Sequence, residues 1–255
     1  MSRVSVVTGA ASGIGKATAE LLRSRGERVI GVDLSGTDID ADLSTDVGLA
    51  GMVEAVTKAS GGAIDAIFGI AGLALDKAKT VNVNYFGMIG TLMGLRPLLA
   101  KSDSPRAVAI ASMASLNPVD DQLVAAMTAM DRQAAYARAE AIEGQNLIYA
   151  STKQAFAKWV RRTAPTAHWA GASIPLNAVA PGIIRTPMTA DMIATEDATK
   201  QMLERVPMPL NGVAEPIVVA RLLTWLASAE NTHLCGQVIF VDGGSDVVIR
   251  GDSTW

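Results

Sequence analysis

The sequence predicts an α/β fold: a doubly wound, seven-stranded parallel sheet with helices on both faces. Short apolar, β-branched segments alternate with longer amphipathic segments along all 255 residues, which is typical of parallel strands joined by helices. No repeat, linker or low-complexity tract interrupts this pattern, so we expect one domain over 1–255. The strands are predicted at 3–8, 28–33, about 37–40, 64–69, 105–112, 174–180 and 237–241. The helices are predicted at 13–25, 46–59, 78–101, 147–169 and 214–228.

The first strand runs directly into a glycine loop and a helix. The loop is Thr8-Gly-Ala-Ala-Ser-Gly-Ile-Gly15, and the helix ends at Gly26. In this context glycines let the backbone approach a pyrophosphate closely, and the helix N-terminus offers free N–H groups and a positive dipole end. A glycine-rich turn without a ligand is the alternative. The segment therefore predicts a dinucleotide site.

An acidic residue ends the second strand at the distance such a site requires. Asp33 lies 18 residues after Gly15, and a carboxylate about 20 residues beyond the glycines hydrogen-bonds the adenosine ribose hydroxyls. It would repel a 2′-phosphate, and neither Leu34 nor Ser12 offers a cation to bind one. The pattern predicts NAD(H) rather than NADP(H). A simple turn aspartate is the alternative.

Tyr149 and Lys153 are spaced to lie on one face of a helix. A lysine ammonium beside a phenol favours the phenolate and lowers the pKa of the tyrosine toward the working pH, which suits a general acid/base. The pair alone is a common chance occurrence on helix surfaces, and its meaning depends on the glycine loop and Asp33.

Together these motifs resemble the classical short-chain dehydrogenase/reductase family over nearly the whole chain. The resemblance implies a Rossmann fold, the cofactor NAD and a catalytic set of Asn84, Ser112, Tyr149 and Lys153, with Asn84 anchoring a proton relay. The cofactor-binding positions it implies are Gly9, Ser12, Gly13, Ile14, Gly15, Asp33, Leu34, Asp42, Leu43, Ala71, Gly72, Tyr149, Lys153, Pro181, Gly182, Ile184 and Thr186.

Two departures from the family pattern stand out. Gly69-Ile70 replaces the usual Asn-Asn, so some bonding between the central strands must come from elsewhere. The gap between Ser112 and Tyr149 is 37 residues, far longer than usual, and places an insertion at about 117–144 between the fifth strand and the Tyr149 helix. Its segment 125–143 is predicted to be helical. The insertion resembles that of the bacterial 3α-hydroxysteroid dehydrogenase/carbonyl reductase branch.

The segment 186–209 follows the sixth strand, is bracketed by prolines and is rich in methionine. Ligands of open α/β sheets bind outside the carboxyl ends of the strands, so we expect a substrate lid here. Methionines adapt to a ligand, although ordinary packing is the alternative for most of them. Arg185 is expected to face solvent or a neighbouring acid. The candidate apolar pocket residues are Met113, Leu116, Ile183, Met188 and Met192, with Leu123, Met127, Met202 and Met208 as further candidates.

Composition excludes several other classes of function. The net charge of −3 gives no basic field for nucleic acid or an anionic membrane surface. We predict no membrane span and no export signal, and the single Cys235 fits a reducing cytoplasm. His168 and His233 stand apart from other ligand types, so we predict no metal.

The resemblance and the apolar pocket candidates favour an NAD-dependent enzyme acting on a hydrophobic secondary alcohol or ketone, a hydroxysteroid being the first choice. Small aryl or alicyclic secondary alcohols are the alternative substrates. A non-catalytic NAD-binding regulator is a remote alternative, because fold alone does not fix function. We also expect a homo-oligomer, a dimer rather than the usual tetramer, because the insertion could cover the interface formed by the helices that contain Asn84 and Tyr149.

Overall fold

The computed structural model describes residues 2–74 and 77–253, and over these ranges it confirms the predicted sheet. Seven parallel strands lie in the order β3-β2-β1-β4-β5-β6-β7. The chain builds one half of the sheet outward from β1 and then returns to β4, so the carboxyl ends of β1 and β4 border a crevice where ligands bind in such folds. The strands are β1 Val4–Thr8, β2 Arg28–Asp33, β3 Ile39–Asp40, β4 Ala66–Gly69, β5 Arg106–Ile110, β6 Leu176–Pro181 and β7 Val238–Val241.

Helices cover both faces of the sheet, as the alternation of buried strand residues requires. Val6 belongs to one apolar cluster and Val7 to the other, because successive side chains of a strand point to opposite faces. One face is covered by α1 (Gly13–Ser24) and α9 (Pro216–Leu226). The other is covered by α2 (Asp46–Ser60), α4 (Met88–Leu99) and α7 (Gln145–Thr163). Strands β4, β5 and β6 are buried along their whole length.

The helix predicted over 78–101 is divided into three parts. Helix α3 (Lys77–Val81) leads into a π-helical segment, Asn82–Gly87, which continues as α4. A Cβ added at Gly87 would overlap the carbonyl oxygen of Leu43, so this glycine allows the helix to approach the end of the third strand closely. Apolar periodicity does not distinguish a π turn from an α turn, and the prediction of one continuous helix was wrong for this reason.

The insertion forms two helices where one was predicted over 125–143. Helix α5 (Asp121–Thr128) is followed by Met130, whose φ of 58° prevents the helix from continuing, and Asp131 then caps α6 (Arg132–Ala141). Asp131 accepts a hydrogen bond from the Ala134 N–H at 2.9 Å. Methionine seldom adopts a positive φ, so nothing in the sequence signalled this break.

The insertion is fastened to α7 through Asp120. Its carboxylate accepts hydrogen bonds from Arg138 Nε at 2.9 Å and from the Leu123 N–H at 2.8 Å. Its own N–H donates to Ser151 Oγ at 2.9 Å. The hydrogen bond from Arg138 holds the pKa of this largely buried carboxyl below its usual range. Leu123 and Met127 are fully buried in the main core, so the expectation that they line a substrate pocket was wrong.

Two further helices complete the described chain. Helix α8 (Glu196–Arg205) lies within the predicted lid, and the short α10 (Ser245–Arg250), which was not predicted, follows β7. Across 2–74 and 77–253, no helix is long and apolar enough to cross a membrane.

Candidate active site

The glycine loop lies at the carboxyl end of β1 and has the shape of an anion-binding cradle. Gly9 and Gly13 adopt positive φ values of 71° and 50°. A Cβ added at Gly15 would overlap the carbonyl oxygen of Gly9, so only glycine allows the first turn of α1 to fold against the loop. Ser12 precedes α1 without a side-chain cap, and the first turn contains no acidic residue. The first N–H groups of α1 are therefore not satisfied by a capping side chain.

The Asp33 carboxylate is fixed at the edge of this cradle. Its Oδ2 accepts a hydrogen bond from the Ala11 N–H at 2.9 Å, and its Oδ1 accepts one from the Leu34 N–H at 2.7 Å. Leu34 beside it is 57 % exposed. The acidic group is thus held by the glycine loop itself, as a hydroxyl acceptor for an adenosine ribose should be.

The ends of β1 and β4 are joined by Thr8, a residue that the sequence interpretation did not single out. Its Oγ accepts hydrogen bonds from the N–H groups of Ile70 at 2.9 Å and Ala71 at 3.1 Å. Thr8 therefore supplies part of the bonding that the missing Asn-Asn pair would give. A Cβ added at Gly69 would lie 2.5 Å from Met88 Sδ, so a side chain at this position would require the Met88 side chain to move.

Asn84 is fully buried in the π-helical segment. Its side chain closes a reciprocal pair with Leu73: the Leu73 N–H donates to Oδ1 at 2.9 Å, and Nδ2 donates to the Leu73 carbonyl at 2.8 Å. A Cβ added at Gly72 would lie 3.2 Å from Asn84 Oδ1 and 3.6 Å from Lys153 Nζ. These contacts bring Asn84 and Lys153 together over the backbone that follows β4.

Tyr149, Lys153 and Ser112 meet at the carboxyl end of β5. Lys153 is 2 % exposed; its Nζ donates to the Ile110 carbonyl at 3.2 Å and lies 5.6 Å from the centroid of the Tyr149 ring. Burial lowers the pKa of Lys153 to about 8. Ser112 is hydrogen-bonded to Tyr149, which lowers the pKa of the phenol, but burial has the larger effect and raises it above its ordinary value.

This result differs from the expectation that Lys153 lowers the pKa of Tyr149. The ammonium lies over the face of the ring, and the low-dielectric surroundings that depress the charge of the lysine also disfavour the phenolate. The geometry of the pair was predictable from its spacing, whereas the strength of desolvation depends on the whole fold.

The segment after β6 reaches across to the glycine loop. A Cβ added at Gly13 would lie 3.1 Å from Thr186 Cγ2. Gly182 allows a second close approach, because a Cβ there would lie 2.9 Å from the Cα of Asp242. Thr186 therefore lies beside the glycine loop and Gly182 beside the end of β7, whereas the Ile184 side chain is buried in the core cluster that contains Val7.

At the other end of the crevice, Asp42 Oδ1 accepts hydrogen bonds from the N–H and the hydroxyl of Ser44 at 2.9 and 2.6 Å. These bonds lower the pKa of Asp42. The Leu43 side chain is buried in the main core and is therefore not available to a ligand.

Comparison with known proteins agrees with this geometry. A family model described as enoyl-(acyl carrier protein) reductase matches residues 9–246. The chain is 32 % identical to the 3-alpha-hydroxysteroid dehydrogenase/carbonyl reductase of Comamonas testosteroni, over 96 % of this chain and 97 % of that one. The chain belongs to the short-chain dehydrogenase/reductase family.

Two other comparisons bear on the assignment. A 3-oxoacyl-[acyl-carrier-protein] reductase of Thermotoga maritima is 31 % identical over 95 % of this chain and 97 % of its own length. The solved 3-alpha-hydroxysteroid dehydrogenase of Pseudomonas sp. B-0831, complexed with NADH, superposes with a TM-score of 0.90 at 37 % identity, over 97 % of this chain and 98 % of the other. This short-chain dehydrogenase/reductase is therefore an oxidoreductase of the hydroxysteroid dehydrogenase/carbonyl reductase type.

The segment that is predicted to form a lid packs into a small core of its own. Ile183, Ile193 and Met208 are buried against one another, with Met202 packed beside them, so these side chains hold the lid together. That Ile183 and Met208 also line a substrate pocket stays a prediction. Met188 and Met192 are 44 % and 45 % exposed, and Met113 and Leu116 follow directly after Ser112. These four residues and Ile183 remain the pocket candidates.

No group of three or more His, Cys, Asp or Glu side chains could hold a metal ion within residues 2–74 and 77–253. The donor types at the site are a hydroxyl, a phenol, an ammonium and an amide.

Proposed function

We propose that this enzyme is an NAD(H)-dependent oxidoreductase that interconverts a hydrophobic secondary alcohol, of the 3α-hydroxysteroid type, and its ketone. The observation that carries the proposal is the meeting of Ser112, Tyr149, Lys153 and Asn84 beside the glycine loop, where the ends of β4 and β5 border the crevice. A hydroxyl, a phenol and an ammonium together at one point are a donor set for moving a proton at an alcohol oxygen.

The residues of the crevice fit a dinucleotide. The glycine loop leaves room for a pyrophosphate, since Gly15 tolerates no side chain, and the Asp33 carboxylate is placed for ribose hydroxyls. The buried Lys153 ammonium and the segment ending at Thr186 would hold the nicotinamide end. The NADH complex of the Pseudomonas relative supports this choice of cofactor. When bound, the nicotinamide supplies the acceptor for a hydride.

In the oxidation direction, Tyr149 takes the hydroxyl proton of the alcohol while the carbinol hydrogen leaves as hydride. Ser112 is hydrogen-bonded to Tyr149 and fixes the substrate oxygen between the two hydroxyl groups. Tyr149 must be ionised to take this proton, and burial opposes that ionisation in the free enzyme; the Lys153 ammonium, 5.6 Å from the ring centroid, is the cation that would counter it. Asn84, paired with the Leu73 backbone, keeps the carbonyl groups of its helix placed to pass the proton outward.

The substrate assignment depends on the pocket candidates and on the relatives. Met188, Met192, Met113 and Leu116 are apolar, and the first two are exposed on the lid, where flexible side chains can adapt to a large ligand. The hydroxysteroid relatives at 32 % and 37 % identity support a flat, apolar substrate. Small aryl or alicyclic alcohols remain the alternative.

The test is NADH formation from NAD⁺ by the purified protein, with 3α-hydroxysteroids in one set and small aryl or alicyclic secondary alcohols in the other. Tyr149→Phe serves as the blank. We expect steroid turnover to dominate. Turnover of small alcohols alone would retain the mechanism and reject the steroid assignment. If neither set of alcohols yields NADH while the protein still binds NADH, the result would favour the non-catalytic regulator.

A further inference from the structure

A groove beside the glycine loop contains an arginine to which the mechanism above gives no role. Its volume is about 500 Å³, and Arg185, Thr186 and Pro187 line one side of it. Thr186 Cγ2 and Pro187 Cδ lie 3.1 and 3.9 Å from the position a Cβ would take at Gly13. The groove therefore opens next to the N-terminus of α1. Between Gly182 and Ala190, Arg185 is the only charged residue.

Arg185 is loosely held in the structure. Its Nε donates to Glu215 Oε1 at 3.0 Å, but the two side chains are 54 % and 60 % exposed. Exposed pairs of this kind contribute little to stability and exchange partners readily. Glu215 precedes α9 without capping it through its side chain, so the pair is not tied into a helix end.

Within the described residues, the first two turns of α1 offer the neighbouring anion site one cation. A helix N-terminus carries only about half a positive charge, whereas a pyrophosphate carries about two negative charges. The cation in the first turns of α1 is Lys16, which is well exposed and lies 4.0 Å from Glu20. A guanidinium is suited to phosphate because its planar donors match two oxygens at once.

We propose that Arg185 exchanges Glu215 for the pyrophosphate of the bound dinucleotide and thereby positions the cofactor in the crevice. In the free enzyme Glu215 keeps the guanidinium beside the groove, and it competes with the pyrophosphate for that group. This inference rests on the proposed NAD(H)-dependent function and adds a positioning residue to it.

Arg185 also borders a second cavity, and a role there must be distinguished from binding of the pyrophosphate. A cavity of about 650 Å³ between Arg185 and α8 is also lined by Glu196, Lys200 and Glu204. An arginine that bonded those acids would fasten the lid and act on substrate rather than on cofactor. Direct binding of a pyrophosphate ligand without nicotinamide distinguishes the two roles.

The experiment measures the Kd of ADP-ribose and of NADH by calorimetry for the wild-type enzyme, Arg185→Met, Arg185→Lys and Glu215→Gln. We expect Arg185→Met to weaken both ligands about tenfold, as for the loss of one charge-assisted hydrogen-bond pair. Arg185→Lys should recover part of the loss, and Glu215→Gln should tighten binding, because the competing acceptor is gone. The wild-type affinity should also fall more steeply with salt than that of Arg185→Met.

Arg23→Met is the matched control. Arg23 lies on α1, the helix whose N-terminus borders the anion site, and forms a similar half-exposed pair with Asp38 at 3.2 Å. It lies roughly 15 Å along the helix axis from that N-terminus. Its replacement should leave the affinity for ADP-ribose unchanged.

Three results would overturn the inference. Unchanged ADP-ribose affinity in Arg185→Met with an altered KM for substrate would assign Arg185 to the lid. An equal loss in Arg185→Met and Arg185→Lys, accompanied by a lower Tm, would indicate a structural role. If the wild-type enzyme bound neither NADH nor ADP-ribose, the proposed function would fail, and this inference with it.

Discussion

At the scale of single residues, the site is a balance between burial and charge. Lys153 is buried almost completely and donates a hydrogen bond to the Ile110 carbonyl, and this burial lowers its pKa to about 8. Burial raises the pKa of Tyr149 more than the hydrogen bond with Ser112 lowers it. The ionisation of both groups therefore depends on how strongly the surrounding fold and any bound ligand exclude water from them. The spacing of residues in the sequence cannot reveal this degree of desolvation.

Replacing Tyr149 by phenylalanine tests the proton transfer. We expect Tyr149→Phe to keep NADH binding and to lose at least about 10²–10⁴-fold in kcat, which is the range for a general acid/base group. Stopped-flow turnover together with calorimetric NADH binding would measure the two properties separately. Turnover near the wild-type rate would reject the role given to Tyr149.

Replacing Asp33 tests the choice of cofactor. We expect Asp33→Ser to reduce the preference for NAD⁺ over NADP⁺ by at least about tenfold, because the carboxylate that repels a 2′-phosphate is removed. The measurement is the ratio of kcat/KM for the two cofactors. A preference for NADP⁺ already present in the wild-type enzyme would contradict the assignment of Asp33.

The depressed pKa of Lys153 predicts a stability effect. Below pH 8 the folded and unfolded chains both hold this proton; between about 8 and the ordinary value of 10.5, the unfolded chain binds more. The contribution of Lys153 to stability therefore rises with pH across that window. We expect Lys153→Met to be more stable than the wild type below pH 8, by a margin that shrinks towards pH 10.5. Tm values of both proteins across this range provide the test, and a constant difference would argue against burial as the cause.

At the scale of elements, the sequence predicted the sheet well and the helices less completely. All seven strands lie within about three residues of their predicted positions, because buried parallel strands are marked by short apolar runs. The π-helical segment Asn82–Gly87 and the break at Met130 were missed. Both depend on tertiary packing rather than on local periodicity. The candidate catalytic residues were predicted from a resemblance, whereas the linking role of Thr8 and the small core of the predicted lid became evident only from contacts.

The glycine loop allows a prediction about one added methyl group. Gly15→Ala would force a Cβ against the Gly9 carbonyl oxygen, so we expect a lower Tm and the loss of NADH binding. Gly51→Ala is the matched control, because this glycine lies inside α2 with nothing within 4 Å of its added Cβ. It should raise the free energy of unfolding by about 0.5–1 kcal/mol. Normal NADH binding by Gly15→Ala would contradict the close packing of Gly15 against the Gly9 carbonyl oxygen.

At the scale of the whole molecule, the insertion changes which surface is available for assembly. Its helices pack on α3 and α7 and bury Leu123, Met127 and Ala135 completely. Arg132 also reaches Asp46 at the start of α2 with a distance of 2.9 Å. The face of α7 beside the insertion is therefore covered by the same chain.

Because the insertion covers this face of α7, we predict a homodimer rather than a tetramer built through α4 and α7. Light scattering on the purified enzyme measures the mass of the assembly directly. The substitution Ala137→Arg, at an exposed position of α6, should leave that mass unchanged. A tetramer that Ala137→Arg dissociates would place the insertion inside an interface and contradict the prediction.

The strand order also has a consequence for synthesis on the ribosome. Strand β6 is buried at every residue, and its outer neighbour β7 is made only when residues 238–241 emerge, close to the carboxyl end of the chain. Until then, a nascent chain presents an apolar strand with unpaired N–H and C=O groups to other nascent chains. A chain stopped just before Val238 would leave this edge of β6 unpaired, and we expect it to aggregate more readily than a chain that contains β7.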